Sequence, residues 1–326
     1  IRRLDADRKR RRERADRYNE LAVAIQLQPA DAPDIFLLQQ EKLSDLRESV
    51  DQEIADSDNE QNEVRVVFAQ ERQEHAVLKE EIQSLKSRRS NIDSQQIAIR
   101  AALSKAIGIS EGEMPFVGEL IQVREEERDW EGAIERYLRN FGLSLLVADE
   151  HYARVAEWVD RTHLQGRLVY FRVRAASRLD GLAPAPDSLA RKLSIKPDSA
   201  FYPWLEREIG HRFADVVCCA NQEQFRREVK AITRAGQIKS KGERHEKDDR
   251  YRIEDRSRYI LGWSNIAKIE TLTAKVTGIE KRLAEMAGRL ETIQKSRGIA
   301  QMRRDHIAKL EEFREYSDLD WRPLVS

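Results

Sequence analysis

The sequence predicts an α+β protein: a long antiparallel coiled-coil hairpin with a duplicated α/β domain inserted at its tip. Three observations carry that expectation. A 3.5-residue apolar rhythm occupies both flanks of the chain, a middle segment rich in Gly, Pro and β-branched residues separates them, and that middle repeats itself at a shift of 72 residues.

Composition agrees with helices that stand in water. Of 326 residues, 36% are charged and 7% aromatic, with only 14 Gly and 8 Pro. Many charges and few breakers favour long solvated helices. Basic and acidic residues number 58 each, so the whole chain is no polycation, and any nucleic-acid role falls to local patches. Cys218 and Cys219 are adjacent; neighbours in a strand point to opposite faces, which gives no disulfide framework and an expected reducing, cytoplasmic setting. No run of eighteen apolar residues and no signal peptide is visible, so a soluble protein without a membrane partner is expected. Ile1 lies mid-pattern in a basic helix, as expected of an internal piece of a larger protein.

From Ile269 onward, Ile269, Val276, Leu283 and Leu290 form one seam row; Leu272, Ile279, Met286, Ile293, Ala300 and Ile307 form the other. On the incoming side Leu78, Leu85, Ile92, Ile99 and Ala106 make one row. Ile82 and Leu103 share the second with Arg89 and Gln96, polar positions of the kind that fix register at a cost in stability. Placing Ala106 opposite Ala267 sets Val64 near Lys309 and the polar tract Asp56 to Asn62 against Tyr316 to Trp321. Pro323 disfavours helix just before it, so both arms are expected to break at one height, near 56–62 and 314–323. A second interruption is expected near 26–34, where QLQPADAPD holds two prolines and Asp34 as a helix cap. The domains are therefore 1–107, 108–262 (halves 108–175 and 188–262) and 263–326.

Within the middle, Phe116 to Val123 reads as a strand and Asp129 to Gly142 as a helix capped by Asp129. LSLLVA then reads as a buried strand, YARVAEWVDRTHL as a helix and GRLVYFRV as a strand. Shifting by 72 lays FGLSLLVADEH over FADVVCCANQE, Phe141 on Phe213 and Leu145 on Val217. Ala176 to Ser188 has the composition of an exposed connector.

MPFVGELIQV followed by DWEGAIERYLRNFGLSLLVADE resembles the first half of an SMC hinge, in which the AIE motif packs a helix on the sheet; KAITRAGQI resembles a hairpin of the second half. GERHEKDDRYRIEDRSRYILGWSN and EEFREYSDLDW are similar to tracts of the MukB/MksB/JetC branch of SMC-like ATPases, the Wadjet/EptC condensins. The resemblance implies a homodimerising hinge with coiled-coil arms. It implies a parent that extrudes loops of double-stranded DNA with kleisin and accessory subunits and a nuclease subunit that cleaves plasmids. ATP and Mg²⁺ would then belong to nucleotide-binding heads outside this chain, with no cofactor here. A chromosome-segregating MukB-like or SMC condensin and a non-enzymatic coiled-coil tether stay open as alternatives.

Candidate sites follow from local chemistry. There is no GxxxxGK[ST] phosphate loop, no CxxC for a zinc hook and no nucleophile elbow, so this segment is expected to be no enzyme, with no catalytic residue. His245, Glu246, Asp248 and Asp249 are metal-capable donors, but five flanking basic residues favour a salt-bridged loop. Tyr259 to Leu261 is expected as a last buried strand, Trp263 as packing where sheet becomes coil, and Ser264 or Asn265 as the cap of the outgoing helix. Arg226, Arg227, Lys230, Arg234, Lys239, Lys241 and Arg244 form the candidate DNA-binding patch, because clustered cations bind phosphates without reading bases. The run Arg8 to Arg14 is a weaker candidate, since acidic residues on a facing helix would absorb it. Candidate dimerisation residues lie on two expected strand edges: Leu168, Val169, Tyr170 and Phe171 on one, Ile232, Thr233 and Ile238 on the other.

Overall fold

The computed structural model describes residues 2–175, 183–241 and 244–322. Most of the predicted connector and Pro323 thus lie outside the described residues. Helix α1 (Arg2–Ala24) ends before Gln26, whose φ of 65° is left-handed. Helix α2 (Pro33–Lys86) opens on a proline, at a position where the missing N–H costs nothing. Asp34 stands inside its first turn rather than capping it, where a carboxylate still meets the positive end of the helix dipole.

The incoming arm departs from the heptad reading in two ways. First, α2 runs unbroken through residues 56–62, where an interruption was expected. The tract is polar but holds neither Gly nor Pro, and its acids are paired: Asp58 with Arg297 at 2.5 Å and Glu60 with Arg289 at 2.7 Å. Second, α2 stops at Lys86, and Ser94–Ile107 is a separate helix, α3. Asp93 caps α3 by accepting from the Gln96 N–H at 3.0 Å, and Gly108 ends it at a φ of 68° that favours glycine. The row Leu78 to Ala106 is therefore two helices, and Ile92 and Leu103 belong to the core of the α/β domain. The register shifts accordingly: Asp58 faces Arg297 rather than the Tyr316 to Trp321 tract.

The α/β region runs β1 (Ile121–Val123), α4 (Glu131–Gly142), β2 (Ser144–Ala148), α5 (Asp149–Arg161), β3 (Val169–Val173), β4 (Leu193–Ile195), α6 (Tyr202–Phe213), β5 (Val217–Cys219), α7 (Gln222–Arg227), β6 (Ala231–Thr233), β7 (Gln237–Ser240) and β8 (Arg244–Lys247). Helix α8 (Ile266–Glu311) follows, then a single 3₁₀ turn at Tyr316–Asp318. Three expectations change here. Of Phe116 to Val123 only the last three residues are strand, Val117–Glu119 being a 3₁₀ turn. Asp129 lies in a 3₁₀ segment, Glu125–Trp130, and caps nothing. Tyr259 to Leu261 is irregular backbone, although Ile260 and Leu261 are buried.

The chain forms two compact units, Ile1–His75 with Ile279–Ser326, and Ala76–Gly278. In the first, Tyr18, Phe36, Leu43, Val50, Ile307 and Phe313 form an apolar core among α1, α2 and α8. The Tyr18 ring meets Phe313 edge-on at 5.3 Å, and its hydroxyl donates to Gln39 at 3.0 Å. Pairs Glu53–Arg303 at 3.0 Å and Glu71–Arg282 at 2.8 Å show α2 and α8 running antiparallel there.

The second unit is built about a local dyad. β1 and β4 pair antiparallel with Gln122 opposite Ser194, its own equivalent at the shift of 72. The same shift recurs in the bridges Phe116 to Leu145 and Ser188 to Val217. It recurs again in the hydrogen bonds Leu146 N–H to Pro115 C=O (2.8 Å) and Cys218 N–H to Asp187 C=O (2.9 Å), and in Arg124 to Lys192 (2.9 Å) and Lys196 to Leu120 (2.8 Å). Phe141 and Phe213, equivalent residues, meet edge-on at 5.3 Å. Each half then adds a parallel strand across a helix, β2 with β3 and β5 with β6. Leu145, Leu146 and Val147 are fully buried, each stabilising the fold by about 1.5–3 kcal/mol.

Candidate dimerisation and nucleic-acid interface

β3 pairs with β2 on one side only among the described residues. Val169, Tyr170 and Phe171 are three consecutive large apolar residues, each only half-buried, next to a β2 whose first four residues are buried. Leu168, just before the strand, is half-buried too. Phe171 reaches inward to Trp204 at 5.4 Å, and Arg172 stacks on Tyr152 at 4.4 Å and pairs with Asp149. An apolar strand with an open row of backbone groups is a ready template for another strand.

The other expected edge is not one. β6, with Ile232 and Thr233, is hydrogen-bonded to β5 on one side and β7 on the other, and both residues are buried. Ile238 in β7 lies between β6 and β8. The outer strand is β8, whose four residues Arg244, His245, Glu246 and Lys247 are all exposed. The HEKDD tract is thus partly strand rather than loop, and its acids meet cations: Glu246 with Arg244 at 2.6 Å, Asp248 with Arg250 at 2.6 Å, Asp249 with Lys247 at 2.7 Å. Among the described residues no three His, Cys, Asp or Glu side chains converge on a metal position.

Strand order divides the basic candidates. Arg226 and Arg227 end α7; Lys230 precedes β6; Lys241 follows β7 and Arg244 opens β8 at that same end of the sheet. Arg234 lies at the opposite end, in the β6–β7 turn, with its guanidinium over Trp130 at 5.0 Å. Lys239 is buried and donates to the Arg226 carbonyl at 2.9 Å, so it braces the sheet instead of facing solvent. Arg227 and Lys230 have acid partners, Glu223 at 3.6 Å and Asp215 at 2.7 Å. The Arg8 to Arg14 run is largely occupied, with Arg14 on Asp318 at 3.0 Å, Arg11 on the Asp320 carbonyl at 3.2 Å and Arg12 over Trp321 at 5.3 Å.

Sequence reasoning missed the polar clamp where α8 leaves the α/β domain. Glu135, on the apolar face of α4, is buried and accepts from the Ile260 and Leu261 N–H groups at 2.9 and 3.0 Å. Burial raises its carboxyl from 4.5 to about 7, against those two hydrogen bonds and Lys268, which lower it. Lys268, also buried, donates to the Asn91 and Tyr259 carbonyls at 2.5 and 3.0 Å, and burial brings it down to about 8. Asn91 donates to the Leu261 and Ser264 carbonyls, both at 2.9 Å. Asn265 serves the end of α2, donating to the Leu85 and Arg88 carbonyls at 2.7 Å each. A carboxylate amid Ala133, Ile134 and Leu138 was the available signal. Cys218 and Cys219 are buried thiols pushed up to about 12 and about 11, which leaves them protonated at neutral pH.

No protein-family model matches the chain, and no curated protein matches it. Among solved structures it is similar to a folded elbow of cohesin, at 14% identity and a TM-score of 0.41 over 94% of this chain; it spans 42% of that chain's length. It is also similar to an asymmetric dimer of the Geobacillus stearothermophilus SMC hinge domain, at 18% identity and TM-score 0.38 over 75% of this chain and 98% of that one. A third is the Pyrococcus furiosus Smc hinge domain with an extended coiled coil, at 16% identity and TM-score 0.34 over 84% of this chain and 98% of that one. Among the described residues no helix is long and apolar enough to cross a membrane.

Proposed function

We propose that this chain is the dimerisation hinge of an SMC-like protein together with its neighbouring coiled-coil arms. The observation that carries the reading is the local dyad: two equivalent halves, joined through β1 and β4, that carry different outer strands, β3 and β8. When β3 of one chain meets β8 of another, the twofold operation repeats the contact and closes a dimer in which both β3 and β8 of each chain are paired. The half-buried Val169, Tyr170 and Phe171 gain cover, and charged β8 stays soluble until paired.

Cross-linking tests this pairing. A chain carrying Arg172→Cys mixed with one carrying Glu246→Cys is expected to form a covalent heterodimer on mild oxidation, while neither alone does. Absence of that selectivity rejects the strand pairing.

The parent protein, in this reading, is a condensin-like ATPase of the MukB/MksB/JetC type that extrudes loops of double-stranded DNA. It works with kleisin, accessory and nuclease subunits in plasmid defence, and ATP and Mg²⁺ act in its heads. The tracts at 242–265 and 311–321 support that branch over a chromosome-segregating one. Exposed Arg226, Arg227, Lys241 and Arg244 are the phosphate contacts. Retardation of duplex DNA at low salt, lost when these four become Glu, is expected; unchanged retardation rejects the patch.

A further inference from the structure

The irregular segment after β8 folds back over α4 and leaves a cleft of about 150 Å³. Five arginines line it, Arg136 and Arg139 from α4 and Arg250, Arg252 and Arg258 from the segment. Three carboxylates line it too, and each is already bonded. Asp248 holds Arg250 at 2.6 Å, Asp255 holds Lys275 at 2.8 Å, and Glu135 accepts its two backbone N–H groups. Among the described residues, Arg139, Arg252 and Arg258 have no carboxylate within 4 Å.

Two of these three are oriented by the fold. Arg139 donates through Nη1 to the Arg258 carbonyl at 2.8 Å, which fixes its planar fork against the segment. Arg258 stacks on the Tyr251 ring at 3.4 Å, so its guanidinium is oriented with its N–H groups free of acid partners. Arg136 anchors the segment from the other side by donating to the Tyr251 carbonyl at 2.9 Å. Like charges gathered on one concavity repel, and the arrangement costs free energy unless an anion joins it. Guanidinium forks match the paired oxygens of a phosphate better than any other common group.

We propose that this cleft binds a phosphate-type oxyanion through Arg139, Arg252 and Arg258. The phosphate comes either as a free ion or ester or as one unit of a nucleic-acid backbone. The site is separate from the β7–β8 basic patch, and it does not depend on dimerisation.

Titration calorimetry of the intact chain with inorganic phosphate, and separately with a short DNA duplex, tests the site. Phosphate is expected to bind with one site per chain, and affinity to fall at least tenfold in Arg252→Gln with Arg258→Gln. Circular dichroism checks that this double variant keeps its fold. Should it fail to fold, Arg252→Gln alone, at an exposed position, is expected to weaken phosphate severalfold. Phosphate that the duplex displaces from the unaltered chain assigns the site to the nucleic-acid backbone; phosphate binding that the duplex leaves unchanged assigns it to a free ligand. No phosphate binding, or phosphate binding undiminished in the variants, overturns the proposal.

Discussion

Replacing Glu135 by glutamine isolates the charge in the clamp at the root of α8. The carboxyl is raised in the fold from 4.5 to about 7. Because the folded value is the higher one, its contribution to stability is fully present below pH 4.5 and is lost as pH rises through 7. A shift of that size corresponds to about 3 kcal/mol at 1.36 kcal/mol per unit, of which about 2–3 kcal/mol is recovered on going from pH 9 to pH 5. The glutamine side chain does not titrate, and its NH₂ group faces one of the two N–H donors, a mismatch of about 1–3 kcal/mol. Urea denaturation followed by the fluorescence of buried Trp130, Trp158 and Trp204 reads the unit that contains them. The gap between wild type and variant is expected to widen by about 2–3 kcal/mol from pH 9 to pH 5. The subtraction removes the other titrating groups. A gap that stays constant across that range refutes the reasoning.

Further expectations follow from the same packing. Lys268→Met removes a cation whose folded value is depressed to about 8, so wild-type stability from this group is lost as pH falls through 8 and the variant flattens that slope in denaturation series from pH 7 to 10. Gly142→Ala places a Cβ 2.7 Å from Ile260 Cδ1 and 3.0 Å from Leu261 Cδ2, and is expected to cost about 1–3 kcal/mol in thermal unfolding. Leu85→Ala, at a fully buried position packed with Leu272 and Val276, is expected to cost about 2–5 kcal/mol by the same assay. Asp58→Asn breaks an exposed pair with Arg297 and is expected to leave the melting temperature unchanged.

The outgoing arm was legible because its seam is a property of local spacing. Leu272, Ile279, Ile293, Ala300 and Ile307 are all buried, as their heptad positions require. The incoming arm was not, because the break after Lys86 is made by distant residues: Asn265 takes up the carbonyls of Leu85 and Arg88, and Lys268 that of Asn91. No Gly or Pro marks it, so a repeat that crosses it by coincidence reads as continuous helix. Duplication was legible as a pattern, Phe on Phe and Leu on Val, and hydrogen bonds recur at the same shift. The outer strand β8 was hidden, since Arg-His-Glu-Lys has neither alternation nor β-branched residues and is strand only through its bonds to β7. That omission placed a false edge at Ile232 and Thr233. The basic patch was visible as composition, whereas the inward turn of Lys239 depended on strand phase.

The most direct measurement is the mass of the chain in solution by sedimentation equilibrium over a hundredfold dilution, for the unaltered protein and for Val169→Lys. A species of twice the chain mass for the first, and a single-chain mass for a folded second, is the expected outcome. A single-chain mass for the unaltered protein at every concentration contradicts the hinge assignment.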